Sequence, residues 1–124
     1  MGEVRTHKDL EVWKEAMALA RGTYELTGAF PKEELYGLVS QMRRAAVSIP
    51  SNVAEGAARS SNREFIQYLY VSLGSLAELE TQLLLSGDLG YPQSEEIREH
   101  IERVRKLTLG LIRHLKARNA TSKE

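Results

Sequence analysis

The segment from Gln41 to Arg59 has the spacing of a helix but carries Pro50 in its interior. Between Ala45 and Ala58 its only formally charged side chain is that of Glu55. A helix on the surface of an isolated bundle normally shows one apolar stripe and one charged face. Because the side chains on nearly every face of this helix are small or apolar, we expect the helix to make contacts outside its own bundle as well as within it. The sequence therefore predicts an assembly.

Four segments repeat apolar residues at alternating steps of three and four, which predicts helices. No segment of useful length alternates like a strand. The connections are short, which favours an antiparallel, up-down-up-down four-helix bundle, with helix two kinked at Pro50. We expect one domain over residues 1–124, with a disordered tail after the last helix. The predicted helices span about 9–28, 33–59, 62–87 and 93–118.

The periodicity also predicts which residues face the core, and two serines are predicted to cap helices. Ser61 and Glu64 form a capping box at the start of helix three, and Ser94 is the predicted cap of helix four. The predicted core stripe of helix one is Leu10, Trp13, Met17, Ala20 and Tyr24. That of helix four is Ile97, Ile101, Val104, Thr108, Leu111 and Leu115.

Charge is balanced overall, with 17 basic and 17 acidic residues, but it is unevenly placed. From Glu64 to Glu102 there are eight acidic residues and one basic residue, whereas Arg103 to Lys123 holds seven basic residues and no acidic one. Such asymmetry favours an anionic partner or neighbouring subunits that complement one another. With no cysteine and no run of about 18 apolar residues, we expect a cytoplasmic protein without a membrane span.

Sequence motifs typical of catalytic, cofactor-binding or metal-binding sites are mostly missing. We expect no enzymatic activity, no cofactor and no metal. His100 and His114 lie about 21 Å apart by helical rise and cannot share one ion. Glu96 and His100 have the wrong spacing for a di-iron bundle, which uses Glu-x-x-His. No phosphate-binding loop, dinucleotide fingerprint or nucleophile elbow is present.

The outward positions of helices two and three are predicted to form a subunit interface. Leu83, Leu84 and Leu85 cannot all face one core, and contiguous outward apolar groups on adjacent helices favour an interface over an exposed patch. The alternative is a wide core whose bulky side chains are covered by loops. The candidate interface residues are Val47, Pro50, Ala54, Ala58, Tyr70, Val71, Leu84 and Leu85.

Eight basic side chains are candidates for binding nucleic-acid phosphate. Between Glu102 and Lys123 the bases of helix four lack acidic partners at helical spacing. Repeated around an assembly, they would add up to a positive field that attracts phosphate. The alternative is a basic face that only keeps the protein soluble. The candidates are Arg43, Arg44, Arg59, Arg63, Arg103, Lys106, Arg113 and Lys116.

The polar residues around Pro50 are interpreted as structural. Ser48 and Ser51 are expected to bond the backbone carbonyls that the proline leaves without donors. Asn52 is expected to fix register or oligomeric state, as a polar seam residue does in coiled coils. Glu55 is expected to pair with Arg59, four residues on.

The segment Gln41–Gly56, QMRRAAVSIPSNVAEG, closely resembles the signature of the 23S rRNA intervening-sequence proteins, a family of four-helix bundles. Ser60–Phe65, Leu73–Glu80 and His7–Trp13 fit as well, so the resemblance covers nearly the whole chain. It implies a bundle that assembles into a ring, typically a pentamer. It also implies kinship with the accessory protein of diversity-generating retroelements, whose basic ring surface binds nucleic acid and a reverse transcriptase. It implies no catalytic residue.

Two functions of different kinds follow from these expectations. The first is a non-enzymatic, homo-oligomeric module that binds RNA or DNA through phosphate contacts, without reading sequence. The second is a protein–protein interaction scaffold with no nucleic-acid role. A reverse transcriptase is the expected partner only where the chain accompanies a retroelement.

Overall fold

The computed structural model describes residues 6–122. Within them the chain is helical with no β-strand, which confirms the all-α, four-helix prediction. The helices are α1 (Glu11–Thr27), α2 (Leu38–Ala57), α3 (Asn62–Asp88) and α4 (Glu95–Ser122). Short 3-10 helices at His7–Asp9 and Lys32–Glu34 precede α1 and α2. Each helix contacts two neighbours: α1 packs on α2 and α4, and α3 packs on α2 and α4. No described helix is both long and apolar enough to cross a membrane.

Two of the four helices differ from their predicted bounds. The second begins at Leu38 rather than near residue 33, because Gly37 has φ −114° and ψ −109°, which interrupts the helical path. Glu34 lies in the preceding 3-10 turn and accepts the Leu38 N–H at 3.2 Å. The fourth helix continues to Ser122, past the predicted end near 118, since no glycine or proline follows Leu115 to stop it. Residues 123 and 124 of the predicted tail lie outside the described residues.

The cap predictions at α3 and α4 are confirmed. Ser61 Oγ accepts the Glu64 N–H at 3.2 Å, and Ser94 Oγ accepts the Ile97 N–H at 3.2 Å. In the capping box the Glu64 carboxylate lies 3.4 Å from the Ser61 hydroxyl. Local sequence was sufficient for these caps because donor and acceptor lie within one helical turn.

The predicted core stripe of α1 is partly wrong: Ala20 is buried as predicted, and Leu10 and Trp13 pack against the core. Trp13 and Met17 are only half-buried, and Tyr24 is 46% exposed. Small side chains let α1 approach its neighbours closely, and buried threonines bond to their own helix: Thr23 Oγ1 donates to the Leu19 carbonyl at 2.8 Å. The buried residues of α1 are Val12, Ala16, Leu19, Ala20, Thr23 and Thr27. In α4 the prediction holds except that Ile112, not Leu111, is buried.

Close packing joins α2 to α3. A Cβ placed on Gly56 would lie 2.7 Å from Tyr68 Cβ and 2.9 Å from Phe65 Cδ1, so the helices touch where only glycine fits. Further along, Ser48 Oγ and Ser75 Oγ are hydrogen-bonded at 2.8 Å. These contacts leave little freedom for α3 to slide along α2.

The helix α2 runs without interruption through Pro50, which is buried. Ser72 Oγ of α3 donates to the Ile49 carbonyl at 2.9 Å, and Asn52 Nδ2 donates to the Ser48 carbonyl at 2.8 Å. Neither of these carbonyls is the one that Pro50 leaves without a helical donor, which is that of Ala46, four residues earlier. The predicted Ser48 bonds to Ser75 of α3 instead. The bend predicted at Pro50 stays a prediction.

The predicted structural polar residues have different roles. Ser48 bridges helices through Ser75, and Asn52 supports it with a 3.0 Å bond to Ser48 Oγ. Asn52 is half-buried, whereas Ser51 and Glu55 are exposed. The register link therefore lies at Ser48, with Asn52 as its support inside α2.

Ion pairs hold α4 against the other helices. Arg105 reaches Glu80 of α3 at 2.6 Å. Glu15 of α1 lies 2.6 Å from His100 Nδ1 and 3.3 Å from Arg103. Acidic residues of α1 and α3 thus neutralise the first half of α4.

Replacing Gly56 with alanine should destabilise the protein. The new methyl group would displace Phe65 and Tyr68, at a cost of about 1–3 kcal/mol, which exceeds the modest gain in helix propensity near the end of α2. Gly74 is the matched control, because a Cβ there meets nothing within 4 Å. Gly74→Ala should stabilise the helix by up to about 1 kcal/mol. Urea unfolding of both variants measures the difference, and equal effects would contradict the close approach.

The Glu34–Tyr91 contact predicts a pH-dependent stability. The Tyr91 hydroxyl donates to Glu34 Oε2 at 2.7 Å, and this bond, with the Leu38 N–H, lowers the pKa of Glu34 below its ordinary 4.5. The resulting stabilisation is present above the unfolded-state pKa and is lost as pH falls through the lower folded-state pKa. Tyr91→Phe keeps the ring packing on Phe30 but removes the donor. We expect this variant to be less stable than the wild type at neutral pH.

Urea unfolding at neutral pH and near pH 3 checks this expectation. The difference in unfolding free energy between wild type and Tyr91→Phe should shrink as the pH is lowered below the unfolded-state pKa, because the stabilisation from the lowered pKa of Glu34 is lost in that direction. A difference that is the same at both pH values would show that the hydroxyl acts through packing alone.

Candidate nucleic-acid interface

The structure divides the eight predicted basic residues by position. Four lie around the α2–α3 turn and the last third of α4: Arg59, Arg63, Arg113 and Lys116. Two, Arg43 and Arg44, lie on α2 in a surface groove beside Tyr24 of α1. The remaining two, Arg103 and Lys106, lie midway along α4 in a shallow groove that also holds Glu95, Glu99 and Glu102.

The first group is extended by Arg118, which sequence analysis did not single out. Arg59, just beyond α2, and Arg118, on the last turns of α4, line one pocket, so the α2–α3 turn and the end of α4 meet there. Arg118 was missed because it was placed at the predicted end of helix four, although it belongs to the basic run that begins at Arg103. We call these five residues the basic end of the bundle: Arg59, Arg63, Arg113, Lys116 and Arg118.

Tyrosine rings, rather than carboxylates, hold several of these cations. The Arg59 guanidinium lies 4.9 Å from the centre of the Tyr68 ring and donates to its hydroxyl. Lys116 Nζ lies 5.5 Å from the Tyr70 ring centre and donates to that hydroxyl at 3.1 Å. A neutral ring orients a cation without cancelling its charge.

Arg43 is held in the same way at the other group. Its guanidinium lies 4.5 Å from the Tyr24 ring centre. It also donates to Thr27 Oγ1 at 2.9 Å and to the Tyr24 carbonyl at 3.2 Å. Arg43 is therefore committed to fixing the end of α1, and only Arg44 beside it is fully exposed.

Among residues 6–122, Arg103 is the one member of the predicted eight with a carboxylate at ion-pairing distance. The expectation that the bases of helix four lack partners is wrong for Arg103 and Arg105. Glu15 reaches Arg103 from α1, and Arg105 pairs with Glu80 of α3 and also with Glu102, three residues earlier on its own helix. All five members of the basic end lack a carboxylate partner within the described residues.

The predicted Glu55–Arg59 ion pair is wrong. Because α2 ends at Ala57, Arg59 no longer follows the helix that carries Glu55, and the spacing of four residues does not bring them together. Arg59 lies on Tyr68 instead. Because α2 ends before Arg59, this residue lies at the basic end of the bundle rather than on the surface of α2.

The pocket at the basic end has a volume of about 410 Å³ and is bounded by three parts of the chain. These are the segment around His7, the α2–α3 turn and the last third of α4. Arg59, Arg118, His7 and His114 line it, whereas no aspartate or glutamate of the described part of the chain does. The His7 ring packs edge-on against Trp13, with ring centres 5.2 Å apart. An apolar wall is formed by Leu10, Ala57, Phe65, Leu111 and Leu115.

A second surface is an apolar groove between α1 and α2. One part, of about 290 Å³, is lined by Trp13, Met17, Ala20, Val47, Pro50, Ser51 and Ala54. An adjoining part shares Val47 and is lined by Tyr24, Leu35, Tyr36, Val39, Ser40, Arg43 and Arg44. Tyr36 is 93% exposed. We call both parts together the α1–α2 groove.

The predicted interface residues fall on two sides of the bundle. Val47 and Ala54 line the α1–α2 groove. Tyr70, Val71, Leu84 and Leu85 are exposed on α3, and Ala58 is exposed just past α2. Pro50 also lines the α1–α2 groove, but it is buried within the chain rather than exposed on the outward face as predicted. The helix-one residues of the groove, above all Trp13 and Met17, were missed because the helical period assigned them to the core.

Metal binding has no support from the described side chains, where no group of three or more histidines, aspartates and glutamates could hold an ion. His100, considered as a metal ligand from the sequence, lies against Glu15. No catalytic role was predicted for any residue.

Comparison with protein families identifies a match for most of the chain. The family model described as 23S rRNA-intervening sequence protein matches residues 8–113. The matched region includes the α2–α3 turn and stops just before Lys116 and Arg118. A search among curated proteins finds no match.

Proposed function

The chain belongs to the family of 23S rRNA-intervening sequence proteins, and we propose that it is a non-enzymatic, homo-oligomeric module that binds nucleic acid through its basic end. Membership favours RNA as the ligand to test first, with DNA as the comparison. The basic end is the observation that carries the proposal. Its five cations have no carboxylate partner among residues 6–122.

Charge that is not neutralised locally is available to phosphate. Arg98, Arg103 and Arg105 are each paired with a glutamate, so binding there would first require an ion pair to break. Lys106 has no ion pair among residues 6–122, but it shares its groove with Glu95, Glu99 and Glu102. At the basic end five cations that are unpaired within the described part of the chain lie together, so a phosphate replaces only water and counterions, and counterion release favours binding.

The tyrosines at the basic end are a second observation that supports nucleic-acid binding. Tyr70 is 47% exposed beside Lys116, and Tyr68 is half-buried beneath Arg59. Exposed aromatic rings next to cations suit single-stranded nucleic acid, whose bases stack on rings while its phosphates contact the cations. Such contacts read no particular sequence.

The helix contacts support an antiparallel, up-down-up-down order for the proposed bundle. The start of α2 meets the end of α1 at Arg43 and Thr27, and its end meets the start of α3 at Gly56 and Phe65. Between α3 and α4, Tyr70 contacts Lys116 whereas Glu80 contacts Arg105. In this order the α2–α3 turn and the end of α4 lie at the same end of the bundle.

Two apolar surfaces support the proposed homo-oligomer. The α1–α2 groove lies on one edge, and Leu84, 59% exposed, lies in a cleft between α3 and α4. Since α1 contacts α2 and α4 but not α3, these two edges are opposite each other. Different surfaces on opposite edges suit head-to-tail contacts, which form a ring when the rotation from one subunit to the next closes. The pentamer implied by the family resemblance is one such ring.

RNA binding should weaken steeply with salt, and the slope should depend on the basic end. For single-stranded RNA each phosphate contact contributes about 0.7 to the slope of log K against log salt. Arg63→Gln and Lys116→Gln should each weaken binding and reduce this slope by about 0.7. Fluorescence anisotropy of a labelled single-stranded RNA over a salt series measures both quantities, and the same series with DNA compares the two ligands.

Arg98→Gln is the matched control for these variants. It removes the same charge from the opposite end of α4, where Arg98 lies 3.8 Å from Glu95. Its slope should equal that of the wild type. Equal slopes for all four proteins, or no RNA retained at low salt, would overturn the proposal.

Assembly should depend on the α1–α2 groove. Ala54→Arg places a charged side chain in that groove, and we expect light scattering to give the mass of one chain, whereas the wild type gives a multiple. RNA affinity should fall as well, because an assembly binds one strand through several basic ends. Gln67→Arg is the control, since Gln67 is exposed on α3 and lies outside the apolar surfaces. A monomeric wild type at high micromolar concentration would contradict this expectation.

The same variant tests the second candidate function, a protein-interaction scaffold, which the apolar α1–α2 groove favours. If Ala54→Arg remains oligomeric but loses a protein partner in pull-down experiments, the groove serves a partner rather than a second copy. A reverse transcriptase is the partner to test where the chain accompanies a retroelement.

A further inference from the structure

We propose that the pocket at the basic end holds the terminal phosphate of an RNA strand together with its last nucleotide. This inference rests on the proposed function and specifies which part of the nucleic acid the protein prefers. It concerns the 410 Å³ pocket lined by Arg59, His114 and Arg118.

The charge of the pocket favours a strand end over the interior of a strand. A terminal phosphomonoester carries about 1.5 to 2 negative charges near neutral pH, whereas each internal phosphodiester carries one. Two arginines and two histidines line the pocket, and among residues 6–122 no carboxylate does. The nearest acidic residue in the sequence of the turn, Glu64, is exposed and bonded to the Ser61 cap. An additional negative charge on the ligand is therefore stabilised here.

The geometry of the arginines supports a phosphate rather than a diffuse counterion. Arg59 is held by its contact with Tyr68 and is not free to follow an ion across the surface. Arg118 lines the same pocket from α4, so arginines from two separate parts of the chain line it. Guanidinium groups bind phosphate oxygens in pairs, which fixes the orientation of the group. Ser60 and Asn62 of the turn add uncharged polar groups.

The remaining wall explains why a nucleotide fits better than inorganic phosphate alone. Leu10, Phe65 and Leu115 form an apolar side opposite the cationic groups. A base and ribose bury apolar surface there while the phosphate meets the arginines. The volume is within the range of about 300–1,000 Å³ usual for small-ligand sites, so it accommodates one nucleotide but not a continuous strand.

The test compares three RNA decamers of one sequence, with a 5′-phosphate, a 3′-phosphate, or hydroxyls at both ends, each labelled at an internal position. One charge-assisted contact corresponds to about a tenfold change in affinity. By anisotropy at fixed salt, one of the phosphorylated decamers should bind about tenfold more tightly than the hydroxyl decamer. Arg118→Gln should abolish this preference. Arg113→Gln, five residues earlier on the same helix and outside the pocket lining, should weaken all three decamers equally and keep the preference.

The outcomes separate this inference from the proposed function. Equal affinity for all three decamers would overturn the terminal-phosphate site and leave RNA binding in place, whereas no binding of any decamer would overturn both. A titration of labelled protein with adenosine monophosphate, followed by NMR, tests whether the pocket binds a free nucleotide. If it binds the pocket while the decamers show no end preference, the pocket takes a free nucleotide and the assignment to a strand end is wrong.

Discussion

The contact of α2 with α3 at Gly56 determines the rest of the arrangement. The two backbones come so close that Phe65 and Tyr68 occupy the space where any side chain at position 56 would lie. Ser48 and Ser75, further along the same pair, hydrogen-bond across it. With these helices fixed in register, α2 must end at Ala57 and the chain must turn at once, which brings Arg59 onto Tyr68. The basic end exists because this turn lies beside the last third of α4.

The distribution of partners explains how a chain of zero net charge presents a positive surface. Glutamates of α1, α3 and α4 pair with Arg98, His100, Arg103 and Arg105, so the first half of α4 is neutralised within the protein. The second half faces tyrosines and the α2–α3 turn. A phenol ring attracts a cation through its quadrupole and its hydroxyl oxygen but contributes no negative charge. Lys116 and Arg59 are therefore oriented and still fully charged.

Sequence reasoning succeeded where the interacting groups lie within about one helical turn. Four helices and the serine caps at Ser61 and Ser94 depend on local periodicity and local hydrogen bonds, and they were predicted correctly. The family was also accessible, since the segment around Pro50 is long and unusual. The core stripe of α1 was predicted only in part, because Ala20 was assigned correctly while the buried Ala16 and Leu19 were left out in favour of large side chains such as Trp13. A helical period gives the angle between residues, but not which face the neighbours occupy.

Prediction from the sequence was limited in the same way at the candidate site. Seven basic residues in the last part of the chain, and none of the opposite sign, were visible without coordinates. The partner of each one was not: Glu15 lies 88 residues before Arg103, and Tyr70 lies 46 residues before Lys116. Arg118 and the two histidines of the pocket were likewise unremarkable in the sequence. They join one site only because the start of the chain, the α2–α3 turn and the end of α4 are folded to one place.

The amino-acid sequence alone thus determined the helical class, the caps, the family and the uneven placement of charge, all of which depend on neighbours along the chain. Only the tertiary structure decided which cations are neutralised, which apolar residues remain on the surface and where a pocket forms. The physical reason is that electrostatic pairing and burial depend on distance in space. In a bundle of four helices the residues that lie closest together in space are mostly far apart in the sequence.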